Sequence, residues 1–170
     1  SMEEVMFRIH KGDIAFTNLN GTIHVENDFW EPALSGSFGK SNFSISGSGL
    51  HLLSYLINKD GPLVASAMFR TDQLDLQEYI ETFARARKEE DGSIFFPERL
   101  KLKLDFVINE FQMKRFKASN VRGIATYDSP VLQVDSMSMQ TMDGTLMGGL
   151  GIAQDQFKDI FVNVNSNLYN

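Results

Sequence analysis

Three histidines, no cysteine and one short run of acids are the residues of this chain whose types could do chemistry. A hydrolytic triad needs a nucleophile within reach of an imidazole that a carboxylate orients, and a metal site needs three or four ligands converging from the fold. His10, His24 and His51 lie in different segments, and none sits at a ligand or triad spacing from another such group. His24 alternates with Ile23 and Val25, which aims it at solvent if that segment is a strand. The acids from Asp72 to Asp75 precede a helical pattern and fit a helix start, where the macrodipole favours negative charge, better than a metal site. The missing cysteines exclude a disulfide framework, a thiolate metal site and a cysteine nucleophile. No glycine-rich phosphate loop of the required spacing occurs. The sequence is therefore read as non-enzymatic, with no cofactor and no metal.

What the chain does carry is apolar alternation. Leu102, Leu104, Phe106 and Ile108 share one face of a period-2 run while Lys101, Lys103 and Asp105 share the other. Val121, Ala125 and Tyr127 repeat the habit, as do Leu132 with Val134 and Met137 with Met139. Asn109-Glu110, Asp128-Ser129-Pro130 and Asp143-Gly144 punctuate the runs as hairpin turns do. Residues 102–151 thus read as a meander of four or five strands, each with one apolar face.

The elements before that meander follow the same logic. Val5, Phe7 and Ile9, then Ile14 and Phe16, then Leu19, Ile23 and Val25 predict three short strands, with Asn20-Gly21 either a hairpin turn or a bulge. Asp28 to Pro32 reads as a loop, with proline at a strand edge or first strand residue. Residues 33–38 and 42–49 read as strands joined at Gly39-Lys40-Ser41. In the second of these, Gly47 and Gly49 mark places where a neighbouring layer or a sheet bend comes close.

A short helix is expected near 50–57, where apolar residues fall on nearly all sides, then a strand over 63–70. Asp75 and Glu78 have capping-box spacing. Leu76, Tyr79, Ile80, Phe83 and Ala84 then form one stripe, predicting an amphipathic helix over 76–88. Ile160, Val162 and Val164 predict a last strand at an edge.

The fold class is thus mainly β: a curved, twisted antiparallel sheet of about ten strands, groove-like or a partly closed sandwich, with two short helices. Residues 1–170 read as a single β-rich domain or a piece of a larger sheet, with Ser1-Met2 an expression remnant. A chain of this length can bury roughly 70% of the surface its unfolded form exposes. The net charge of −6 and scattered basic residues leave no cationic footprint for nucleic acid. No signal peptide is visible, and no apolar run approaches the ~20 residues of a spanning helix.

Offsetting the chain by 102 residues lays Asn18-Leu19-Asn20-Gly21 on Asn120-Val121-Arg122-Gly123, and Gly47 and Gly49 on Gly149 and Gly151. Met137 and Met139 then slip by one residue against Leu34 and Phe38, which a bulge would explain. The repeat implies two related strand modules, about 5–57 and 100–168.

The segments FTNLNGTIHVENDFWEPALSGSFGKSNFSISGSG, LVASAMFRTDQLDLQEYI and LDFVINEFQMKRFKASNVRGIATYDSPVLQVDSMSMQTMDGTLMGGLGI resemble the carboxy-terminal part of AsmA-like proteins, bacterial envelope proteins related to the TamB group, with the Bacteroidetes variant nearest. The resemblance spans roughly Phe16 to Ile152 and rests on apolar alternation, Asn-x-x-Gly and Gly-Gly. It implies a periplasmic module of a larger protein anchored in the inner membrane, whose long sheet forms a groove with an apolar floor. It further implies roles in phospholipid transport and outer-membrane homeostasis, with partners among phospholipid acyl chains, the rest of the parent chain and outer-membrane assembly proteins. The anchor and the longer sheet of the family pattern are not in this sequence. In a bacterial source, the acceptor-like triplets Asn20-Gly21-Thr22 and Asn42-Phe43-Ser44 would stay bare.

A helix is ~10 Å wide and strands lie ~4.8 Å apart, so two helices cover about four strands. The remaining apolar face must fold onto itself or face a ligand, a partner or the parent chain. On that reading the lipid-groove candidates are Leu102, Leu104, Phe106, Ile108, Val121, Ala125, Tyr127, Met137, Met139 and Met147. Each has an ordinary alternative: the aliphatics and Tyr127 as core, the methionines, Met142 among them, as adaptable gap-fillers. Trp30 is either a groove-mouth residue or the cap of a core. An interaction domain docking neighbouring repeats is the competing function.

Overall fold

The computed structural model describes residues 16–52, 54–55, 61–78, 99–141, 144–155 and 159–169. Nine strands follow one another there: β1 (Phe16–Glu26), β2 (Phe29–Phe38), β3 (Ser41–Leu50), β4 (Leu63–Asp75), β5 (Leu100–Met113), β6 (Phe116–Asp128), β7 (Val131–Thr141), β8 (Gly144–Gln154) and β9 (Ile160–Tyr169). They form one sheet in sequence order, with β1 and β9 outermost among the described residues. The described strands touch appreciably only their immediate neighbours, so among the described residues the sheet is open and single-layered, not a sandwich. Eight inter-strand steps make it roughly 38 Å across.

The mainly-β class and the curved, twisted sheet hold; several details differ from expectation. The sheet is not wholly antiparallel, because β4 and β5 run parallel. Parallel neighbours need a long crossover, and residues 76–99 supply one. Asp75 caps its start, its Oδ1 accepting from the amides of Gln77 (3.0 Å) and Glu78 (3.3 Å). Leu76 to Glu78 are helical; the rest of the expected amphipathic helix lies outside the described residues. Of the helix near 50–57, Leu52, Ser54 and Tyr55 are helical, with the Tyr55 amide donating to the His51 carbonyl (2.8 Å). The strands expected before residue 16 also lie outside the described residues.

Asn109-Glu110 is not a turn: β5 continues to Met113, and the chain reverses at Lys114-Arg115, where Lys114 has φ 55°. Asn20-Gly21 is not a turn: both residues pair with β2, directly after a bulge at Asn18-Leu19 that shifts the register of β1 between Thr17 and Asn20. Pro32 sits within β2, not in a loop before it. The β2–β3 ladder skips Glu31 and Pro32, which accommodates the missing amide proton.

The internal repeat is present in the registers. Glu26↔Phe29, Val25↔Trp30, Ile23↔Pro32 and Thr22↔Ala33 of the first hairpin recur as Asp128↔Val131, Tyr127↔Leu132, Ala125↔Val134 and Ile124↔Asp135 of β6–β7, all offset by the distance from Asn18 to Asn120. An extra residue then enters at Ser136 (φ 53°), and the offset grows by one. Leu34↔Ile45, Gly36↔Phe43 and Phe38↔Ser41 recur as Met137↔Gly148, Met139↔Leu146 and Thr141↔Gly144. The bulge that the methionine slip demands is therefore there. It also moves Gly47 and Gly49 onto Leu150 and Ile152, so their match to Gly149 and Gly151 is out of register. The strand pairing of β1–β4 thus recurs in β6–β9, with β5 between them, a frame other than the expected 5–57 and 100–168.

Apart from Pro32, Gly36 and Gly49, six apolar residues are buried among those described. Ile108, Ala118, Val121 and Met139 form one cluster, against which Leu74, Phe106, Phe111, Met137 and Leu146 pack. This small core lies toward one end of β4–β8 and leaves the rest of the face half-exposed.

Candidate functional site: an apolar sheet face

Cross-strand partners project from the same side of a sheet, so the registers define its faces. Leu102, Tyr127, Leu132, Ile152 and Val162 stand opposite one another across β5–β9, and Leu104, Ala125, Val134, Leu150 and Val164 form the next row. Ala65 and Ala67 continue these rows into β4, and Gly49 and Gly47 into β3. The opposite face carries Ser48, Ser66, Lys103, Thr126, Gln133 and Asn163 in a corresponding row.

Three aromatic residues on the apolar side reach over a glycine of the neighbouring strand. A Cβ built on Gly49 would meet Trp30 Nε1 at 2.4 Å, one on Gly123 would meet Phe106 Cζ at 2.6 Å, and one on Gly36 would meet Phe43 Cζ at 3.1 Å. Each is a direct register pair, Trp30↔Gly49, Phe106↔Gly123 and Gly36↔Phe43. What approaches these glycines is a ring of the next strand, not a second layer. Phe43 further stacks on Phe69, with ring centroids 6.4 Å apart. Trp30 Nε1, a buried donor, has no hydrogen-bond partner among the described residues.

The floor candidates divide into three groups. Leu102, Leu104, Phe106, Ala125 and Met137 are half-buried on the apolar side. Ile108, Val121, Met139 and Tyr127 share that side but are 3–8% exposed, the first three within the packed cluster. Met147 lies on the other side, opposite Ser138 and Asn167, and is 48% exposed. Met142 lies outside the described residues.

Beyond the cluster, an open trough of about 740 Å³ runs along the strand ends. Gln73, Glu110, Lys117, Gln140 and Thr145 give it polar walls, and Phe111 and Ala118 connect it to the cluster. The molecule thus sets a polar trough next to an apolar face.

At the other end is a group that sequence reasoning missed. Asp28, in the β1–β2 turn, bonds His51 Nδ1 at 2.6 Å and accepts from Ser54 Oγ at 3.4 Å, while the His51 amide donates to the Asp28 carbonyl at 2.8 Å. Both side chains bond the same carboxylate. The imidazole is therefore not set between acid and nucleophile as a triad requires. The group ties the first hairpin turn to the helical turn after β3, next to the Arg99 guanidinium 5.5 Å over the Tyr55 ring. These residues lie far apart in sequence, and only the sheet order brings them together.

Among the described residues no helix is long and apolar enough to cross a membrane, and no group of three or more His, Asp or Glu converges as metal ligands would. Compared with protein-family models, curated proteins and solved structures, the chain has no match.

Proposed function

We propose that this chain is a non-enzymatic envelope module whose apolar sheet face receives phospholipid acyl chains as part of a larger lipid-handling, AsmA-like protein. The observation that carries the proposal is the apolar floor running from β3 to β9, largely half-buried on β4–β8 and exposed on β9, with no second layer of strands on it among the described residues. An exposed apolar face of this extent is uncommon in a protein without a use for it. The rings of Trp30, Phe43 and Phe106 reaching over glycines, and the small residues Gly47, Gly49, Ala65 and Ala67, favour a flexible chain lying along the surface over a compact ligand held in a pocket. The polar trough beside the Ile108 cluster offers hydrogen-bonding groups to a headgroup. Chloroform extraction of the purified chain followed by mass spectrometry tests the reading. Co-purifying phospholipid is the expected result; extracts free of lipid from protein expressed in a bacterial envelope would overturn it.

A further inference from the structure

The polar face carries a row that the apolar floor does not explain. Ser44, Arg70, Val107, Arg122 and Ser138 stand opposite one another across β3–β7, on the side of Ser66, Lys103 and Thr126. The row reads hydroxyl, guanidinium, aliphatic, guanidinium, hydroxyl, with both arginines exposed and Val107 half-buried. Neither guanidinium forms an ion pair or hydrogen bond among the described residues. The acids nearby do not neutralise them. Asp72 accepts from the Asn42 amide (2.9 Å) and from Asn42 Nδ2 (3.0 Å), and Asp135 accepts from Gln133 Nε2 (2.8 Å). Asp105, opposite Met68 and Ile124, is diagonal to both arginines and pairs with neither.

The recurring strand pairing shows that these positions do not require arginine. Asn20↔Ser35 recurs as Arg122↔Ser138, and Ser44↔Arg70 recurs as Met147↔Asn167. Where β6 has Arg122, β1 has Asn20; where β4 has Arg70, β9 has Asn167. The two positions flank a common neighbour only at β5, and there both are arginine.

Two strand steps set the arginines roughly 9.6 Å apart. A guanidinium fork bonds an oxyanion bidentately at about 2.8 Å, so one tetrahedral anion over Val107 can be held from both sides. One fork already uses both oxygens of a carboxylate, whereas a phosphomonoester offers three terminal oxygens and nearly a double charge. We infer that Arg70 and Arg122 form a binding site for a phosphomonoester, with the Ser44 and Ser138 hydroxyls at its flanks. On the Arg70 side the row borders a depression of about 330 Å³ whose lining includes Asn42, Asp72 and Asn109, room for a small polar alcohol portion such as glycerol. The net charge of −6 opposes anions at long range, but charges beyond about 8 Å are largely screened at physiological salt, so the local pair decides. A single pair of cations suits one phosphoryl group and not the track of a nucleic-acid backbone. The site is independent of what the apolar face binds.

The test titrates the full chain with glycerol phosphate and follows the arginine Nε–Hε signals by NMR. Arg70 and Arg122 are expected to shift with one common midpoint. Arg70→Gln and Arg122→Gln should each weaken binding by about tenfold or more, the loss of one charge-assisted pair, and amide spectra check that these exposed variants keep the fold. Lys103→Gln removes the same charge from the same face and should change binding by less than about twofold, while Asp105→Asn should tighten it by about twofold. A second arm sediments the chain with phosphatidylcholine vesicles containing phosphatidic acid. Arginine-dependent binding there assigns the ester to a lipid headgroup, and arginine-dependent binding of glycerol phosphate alone assigns it to a soluble ester. Acetate binding as tight as glycerol phosphate, a shift of one arginine only, equal weakening by Lys103→Gln, or no arginine-dependent binding in either arm would each overturn the inference.

Discussion

Asn18 and Asn120 hold the same backbone conformation at matching places in the pairing of β1–β2 and β6–β7. Their φ angles are 52° and 51°, and each marks a register shift against the following strand, between Thr17 and Asn20 in β1 and between Ser119 and Arg122 in β6. Asparagine tolerates the left-handed region because its short polar side chain bonds locally, and a bulge there sharpens the local twist. The matched bulges therefore sharpen the twist at the same point of β1 and β6.

Replacing either asparagine with valine is expected to destabilise the chain by about 1–2 kcal/mol, the cost of forcing a β-branched residue into left-handed backbone. Glycine at either site should shift stability by only a few tenths of a kcal/mol. At position 120 the hydrogen bond from Asn120 Nδ2 to Gln140 Oε1 (2.8 Å) adds a small further loss. Urea midpoints of the four variants check this. Equal tolerance of valine and glycine would show that the bulges carry no conformational demand.

Gly49→Val is expected to displace the Trp30 ring, since the new Cβ would fall 2.4 Å from Nε1 and 2.6 Å from the Val64 carbonyl oxygen. Overpacking of this kind costs about 1–3 kcal/mol. Trp30 is the single tryptophan of the chain, so its fluorescence reports the site without ambiguity. Emission should shift to the red in Gly49→Val and stay unchanged in Gly149→Val, the glycine that shares only its apparent sequence match.

The closed and open parts of the apolar face should separate in a stability series. Ile108→Ala, within the packed cluster, is expected to cost about 2–4 kcal/mol, whereas Leu104→Ala on the half-buried floor should cost about 1 kcal/mol. Denaturant unfolding of the two variants gives the comparison, and equal losses would mean that the floor is as tightly packed as the cluster.

How much of this was legible in the sequence depends on what each feature is made of. Alternation at Leu102, Leu104, Phe106 and Ile108 is a local property, so strand identity and facing were readable there. The Asn-x-x-Gly repeat was readable because left-handed bulges restrict residue type. Strand direction is not encoded by a period of two, so nothing in β5 announced its parallel pairing with β4. Facing between strands depends on each turn: Thr141 pairs with Gly144, so odd positions of β7 face even positions of β8, and Met147 parts from Met137 and Met139. One residue inserted at Ser136 likewise undid the glycine match. The Asp28–His51 pair depends wholly on sheet order and left no sequence signal.

The facing of Met147 provides the control for the lipid proposal. Acyl chains carrying bromine quench a nearby indole, and Trp30 lies on the proposed floor over Gly49. Titration with brominated phospholipid is expected to quench Trp30 fluorescence in the native chain. Leu104→Glu places a carboxylate among Ala67, Ala125 and the rest of its row, where an apolar chain would have to desolvate it. Binding should weaken by about tenfold or more, the equivalent of ~1.4 kcal/mol. Met147→Glu puts the same charge on the side shared with Ser138 and Asn167 and should leave quenching unchanged. If both substitutions weaken binding alike, the lipid is responding to net charge and not to the floor. If the native chain shows no quenching at all, the apolar face serves protein contacts instead.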